Sequence, residues 1–110
     1  MRKQRRISDE AAVVLALFLS TPEKSRYGRE IVIETGIKSG SLYPILQRFE
    51  DRDLLESSWE ELEQAVADKR RPRRLYRLRI KSTERAEELL DEWRREGAGS
   101  RTRIGRELPA

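Results

Sequence analysis

Residues 69–74 read Lys-Arg-Arg-Pro-Arg-Arg, five cations around one proline with no acid among them. Positive charge at that density creates a local field whose natural complement is a polyanion. Lys69, Arg70, Arg71, Arg73 and Arg74 are therefore candidate phosphate contacts, with Pro72 limiting collapse of the segment. A second group lies upstream, at Lys38, Ser39, Ser41, Tyr43, Gln47 and Arg48. Serine and glutamine donate to or accept from base edges, and arginine can engage guanine through two bonds. A helix beginning among the serines would also offer free amides to a phosphate, and the Tyr43 hydroxyl could add to that contact.

Other chemistry is thinly represented. With neither Cys nor His in the 110 residues, thiolate, imidazole and zinc-finger chemistry are excluded, and no cofactor is expected. The carboxylates Glu50, Asp51, Asp53, Glu60, Glu61 and Glu63 could in principle hold a hard cation as in a nuclease. They fall on a helix end and an alternating strand with no base or glycine-rich loop beside them, so an enzyme is not expected. The apolar run at residues 11–19 is too short to span a bilayer, and nothing resembles a signal peptide; a soluble, cytoplasmic protein is expected.

The net charge of +4 conceals segregation, since residues 1–6 hold four cations and no anion, whereas residues 50–63 hold seven acids and one arginine. One domain is expected at this length. Only 36% of the residues are hydrophobic and 40% are charged, which is lean for a self-sufficient core and favours packing against a second copy.

The elements that must position these residues follow from periodicity and caps. Ser8, Asp9 and Glu10 open a helix whose apolar residues wrap most of its circumference, and Thr21-Pro22 ends it. A second helix is expected with Ser25 as cap, Ile31 and Val32 inward, and Gly36 as its left-handed stop. Leu42, Ile45, Leu46, Phe49 and Leu54 trace one face of a third helix. Its start is set by Ser39 or Ser41, of which Ser41 leaves Pro44 unstrained in the first turn. Two short helices joined around Gly36 and Ile37 have helix-turn-helix spacing.

From Leu55 the period becomes two, with Leu55, Ser57 and Trp59 expected inward and paired with Tyr76, Leu78 and Ile80. Acids on one strand then face arginines on the other. The intervening residues, about 63–73, read as a long basic hairpin tip, a wing. Ala86, Leu89, Leu90 and Trp93 form the apolar stripe of a last helix closed by Gly97.

The wording of the sequence goes further than this order of elements. "RYGREI", then "SGSLYPILQRFEDRDLL", a Trp-bearing strand and "RPRRLYRL" closely resemble the PadR family of bacterial transcriptional regulators, over about residues 10–78. One departure follows the wing: the family commonly continues Leu-Thr-x-x-Gly, whereas this chain has Leu78-Arg79-Ile80-Lys81-Ser82-Thr83. The resemblance implies a homodimer on a pseudo-palindromic operator in double-stranded DNA, usually as a repressor. The third helix would enter the major groove and the wing would lie along the backbone or minor groove. The family also includes regulators that sense aromatic or drug-like compounds, so Trp59 and Trp93 raise a small aromatic effector as a further partner; both read more readily as packing residues.

The expected fold is thus mainly α with a small β-hairpin, a winged helix-turn-helix plus a C-terminal dimerisation helix. Its expected parts are a basic N-terminal arm (1–7), the DNA-binding domain (8–81), the dimerisation helix (82–97) and a flexible basic tail (98–110). Ala12, Leu15, Leu19, Leu89, Leu90 and Trp93 are the expected dimer contacts. The alternative use of the same parts is architectural, organising phage or plasmid DNA for excision or segregation.

Overall fold

The computed structural model describes residues 7–97; the arm at 1–6 and the tail at 98–110 lie outside the described residues. Helix α1 (Asp9–Ser20) starts where Ser8 accepts a hydrogen bond from the Ala11 amide at 3.1 Å, with Asp9 and Glu10 in the first turn, where the helix dipole favours acids. Strand β1 (Arg26–Tyr27) leads directly into α2 (Gly28–Thr35), and Gly36-Ile37-Lys38 connects to α3 (Ser39–Asp51). Gly36 takes φ 78°, a left-handed conformation that glycine reaches without a Cβ clash, and its amide closes onto the Val32 carbonyl.

Strand β2 (Leu55–Trp59), helix α4 (Leu62–Ala67) and strand β3 (Arg74–Leu78) form the wing. A 3-10 turn (Ile80–Ser82) then passes into α5 (Thr83–Gly97). The three strands are antiparallel in the order β1-β3-β2, and β2 and β3 register Leu55 with Leu78, Ser57 with Tyr76 and Trp59 with Arg74. The core joins the apolar stripes of α3 and α5 to α1, where Val14, Leu15 and Phe18 are fully enclosed. Apolar burial is the main term holding such a domain together.

Several expectations need correction. Arg26 and Tyr27 do not open the second helix: they pair with Tyr76 and Leu75, so α2 begins at Gly28 and Ser25 is not its cap. The pairing draws Arg26 inside at 4% exposure, where Thr21 Oγ1 accepts from its guanidinium at 2.9 and 3.1 Å and Glu34 pairs with it at 3.4 Å. A buried guanidinium is tolerable only when so partnered. Neither Ser39 nor Ser41 caps α3. Lys38 is the cap residue, its carbonyl accepting from Ser41 and Leu42, and Pro44 lies inside the helix.

The wing tip is not a plain loop, because Leu62–Ala67 coils into α4 with Ala65 buried. Trp59 and Ile80 do not point inward: they are 64% and 72% exposed. Trp59 lies at the outer end of β2, beyond the reach of the helical core, and Ile80 has left the pleat for the 3-10 turn. Ile7, assigned to the arm, is a core residue at 8% exposure.

The residues expected at a dimer contact are mostly occupied within one chain. Ala12, Leu15, Leu89, Leu90 and Trp93 are all buried, and Trp93 Nε1 donates to Asp9 Oδ1 at 2.8 Å, tying α5 to α1. Leu19 alone of the six is partly exposed. The apolar stripe of α5 thus meets α1 of its own chain. Among the described residues no helix is long and apolar enough to cross a membrane.

Candidate nucleic-acid interface

Helix α3 buries Leu42, Ile45, Leu46 and Phe49, which at 3.6 residues per turn directs Gly40, Pro44, Gln47 and Asp51 to the opposite side. Ser39 and Tyr43 flank that ridge on one side, Ser41 and Arg48 on the other. Lys38, Ser39, Ser41, Tyr43, Gln47 and Arg48 are all exposed. Gln47 donates to Asp51 at 3.0 Å, one turn along, which steadies its amide on the ridge.

Tyr43 is held more closely than its 46% exposure suggests. Its ring stands against Gly28 at the start of α2: a Cβ on Gly28 would lie 2.6 Å from Cζ and 2.8 Å from Cε1, and nearer still to the hydroxyl. The glycine of "RYG" is therefore the space in which the tyrosine of "SLYP" rests. Beside it, the Tyr27 amide donates to Glu30 at 3.3 Å, and the Arg73 guanidinium stacks 3.7 Å from the centroid of the Tyr27 ring.

A second link joins the C-terminal half of α3 to the wing. Glu50 accepts from Ser57 Oγ at 2.5 Å and pairs with Arg74 at 3.6 Å. Tyr76, buried between them, has its phenol pKa raised by burial; the fields of Arg74, Glu50 and Tyr43 all act on it. Tyr43 and Gly28, Tyr27 and Arg73, and Glu50 and Arg74 thus form one continuous seam between the exposed side of α3 and the base of the wing.

Within the wing, Glu56 opposes Arg77 in register and accepts from it at 2.8 Å; this hydrogen bond lowers the Glu56 pKa. Nearer the tip, Glu60 receives the Arg70 guanidinium, the Arg73 amide at 3.2 Å and the Arg73 guanidinium at 3.4 Å. These partners, the Arg70 hydrogen bond foremost, hold the Glu60 carboxyl far below the usual range, at about 2.

The five cations of the tip are therefore not equivalent. Arg70 also pairs with Asp68 at 3.0 Å, Arg73 is shared between Glu60 and Tyr27, and Arg74 lies between Glu50 and the Trp59 ring, 5.4 Å from its centroid. Lys69 and Arg71 are exposed and, among the described residues, form no ion pair.

Sequence reasoning found the exposed residues of α3 and the basic tip. It missed the parts played by Gly28, Tyr27, Glu50 and Glu60, which hold those groups in place. The "YG" pair carried a signal for Gly28; the pairing of Glu60 had none, because its partners lie ten and thirteen residues away across a closed hairpin. Ser41 and Arg48 stand on the far flank of the ridge, away from the seam. No cluster of three or more potential metal ligands occurs among the described residues.

Two helices in a tight turn, the second exposed along its polar side and flanked by a β-wing, define a winged helix-turn-helix protein. Residues 19–92 match the transcriptional regulator PadR-like family, two-thirds of the chain, and the protein belongs to that family, whose members bind DNA. Solved structures agree. A PadR-like transcription factor from Bacteroides fragilis is 26% identical, with 77% of this chain and 80% of that one covered at a TM-score of 0.59. The protein Pex from Synechococcus is 29% identical, with 83% of each chain covered at 0.57. A PadR family regulator from Clostridium difficile is 24% identical, with 79% and 88% covered at 0.61, a likeness of fold. No curated protein matches the sequence.

Proposed function

We propose that the protein is a sequence-specific transcriptional regulator that binds a pseudo-palindromic operator as a homodimer and represses by occluding polymerase. The observation that carries the proposal is the seam: the exposed side of α3 meets the cationic wing directly through Glu50 and Arg74, and indirectly where Tyr43 rests on Gly28, whose neighbour Tyr27 carries Arg73. A major groove about 12 Å wide accepts one helix, while the flanking phosphates meet whatever cations stand beside it. Gln47 and Arg48 then read base edges, and Lys38, Ser39, Ser41 and Tyr43 meet backbone or bases near the start of α3.

Two copies of α3 must reach grooves about one DNA turn, roughly 34 Å, apart. The α1–α5 pair is the proposed connecting element, with the partly exposed Leu19 at the contact, since its buried partners are already satisfied within the chain. Trp93, buried and hydrogen-bonded to Asp9, acts in packing rather than in binding an aromatic effector.

Selection of bound duplexes from a random pool tests the reading directly. Two inverted half-sites about one turn apart are expected, together with a dimer by light scattering at micromolar concentration. Direct repeats or spreading arrays would favour an architectural role, and a monomer on a single half-site would refute the dimer.

A further inference from the structure

Five cations at a wing tip invite the assumption that all five touch phosphate. The geometry points to a different division of labour, and we propose that Glu60 is a positioning residue that withdraws Arg70 and Arg73 from the duplex and presents Lys69 and Arg71 to it. The inference rests on the DNA-binding reading above and deepens it.

Glu60 lies just past the end of β2 and is 11% exposed. Its amide donates to the Arg73 carbonyl at 2.8 Å while its carboxylate accepts from the Arg73 amide at 3.2 Å, so the two backbones close a ring at the mouth of the tip. The same carboxylate takes the Arg70 guanidinium through both terminal nitrogens, one bond at 2.7 Å. Bidentate pairs of this kind are the strongest hydrogen bonds available to arginine. Arg70 and Arg73 are consequently half-buried at 26% and 34% exposure, Arg73 further pinned on Tyr27.

Arg71 lies between these two tethers, and Lys69 lies just ahead of the first. Lys69 sits at φ 60°, a left-handed conformation in which glycine is the comfortable residue, yet a cation occupies it. Arg71 is exposed and next to the restrained Pro72.

The test uses the full chain and a labelled duplex of generic sequence, with binding followed by anisotropy between about 50 and 200 mM salt. Lys69→Ala and Arg71→Ala should each flatten the slope of log affinity against log salt by about 0.9 for each chain bound. Glu60→Gln releases two guanidiniums and should steepen it by up to about 1.8. Weaker binding with an unchanged slope would make Glu60 merely structural and overturn the proposal.

A DNA-free arm separates this proposal from the binding reading itself. Phenylglyoxal should modify Arg71 well before Arg70 and Arg73, and Glu60→Gln should remove that protection. Equal reactivity in the unsubstituted protein would refute the division of labour. If the unsubstituted protein bound no duplex at any salt while the protection pattern held, DNA binding would fail and the positioning by Glu60 would stand.

Discussion

Gly28→Ala isolates the contact on which the seam depends. The added methyl would lie 2.6 Å from Tyr43 Cζ and 2.8 Å from Cε1, distances no unstrained carbon pair adopts, so the ring must leave its seat. Overpacking of this kind costs about 1–3 kcal/mol. The ring is 46% exposed and can swing toward solvent, which puts the cost at the lower end, about 1–1.5 kcal/mol. Against it stands the helical preference for alanine over glycine, about 0.5–1 kcal/mol in a helix interior and less at the first residue of α2.

The net loss is therefore about 0.5–1 kcal/mol, or roughly 2–8 °C in Tm for a domain of this size. Urea unfolding of Gly28→Ala, Tyr43→Ala and the double variant measures the coupling. In the Tyr43→Ala background the methyl meets no ring, and Gly28→Ala should become neutral or slightly stabilising. A coupling near 1 kcal/mol is expected, well within the range for residues in contact. Equal destabilisation by Gly28→Ala in both backgrounds would refute the reasoning. DNA affinity should fall more than stability does, because the displaced phenol no longer holds its place beside Gly28 on the exposed side of α3.

Three further outcomes follow from the geometry. Gly36→Ala should cost about 1–2 kcal/mol, since φ 78° is left-handed, and Gly36→Asn less; thermal denaturation of the two variants compares them. The Glu60 carboxyl, lowered to about 2, favours the closed wing at pH above its unfolded pKa and loses that contribution as pH falls toward 2. NMR titration of its side-chain carbon should therefore show a midpoint near 2 rather than in the usual range for glutamate. Gln47→Ala and Arg48→Ala should change preference among duplexes by about 1–3 kcal/mol per altered base pair, seen in competitive binding, whereas Arg71→Ala should weaken all duplexes alike.

Much of this protein could be read from short-range pattern. The α3 stripe of Leu42, Ile45, Leu46 and Phe49, the stop at Gly36 and the alternation of β3 each repeat with the period of one element, and a single chain segment suffices to display them. The phrase "SGSLYPILQRFE" and the basic run placed the exposed chemistry on α3 and the wing. Where the sequence misled, the missing information lay in another segment. Two residues are too few to alternate, so Arg26 and Tyr27 became a strand only because β3 offered an open edge. Trp59 had the parity of a core residue but stood past the end of the core. The stripe on α5 called for a partner without saying whose, and α1 of the same chain supplied it.

Periodicity in the chain alone thus determined the order of the main helices and the two wing strands and the faces that carry binding groups, because each is a property of neighbouring residues. Which cations of the wing are free, which glycine seats Tyr43 and which helix covers α5 were decided by tertiary structure, because pairing and burial depend on distances through space that spacing along the chain does not specify.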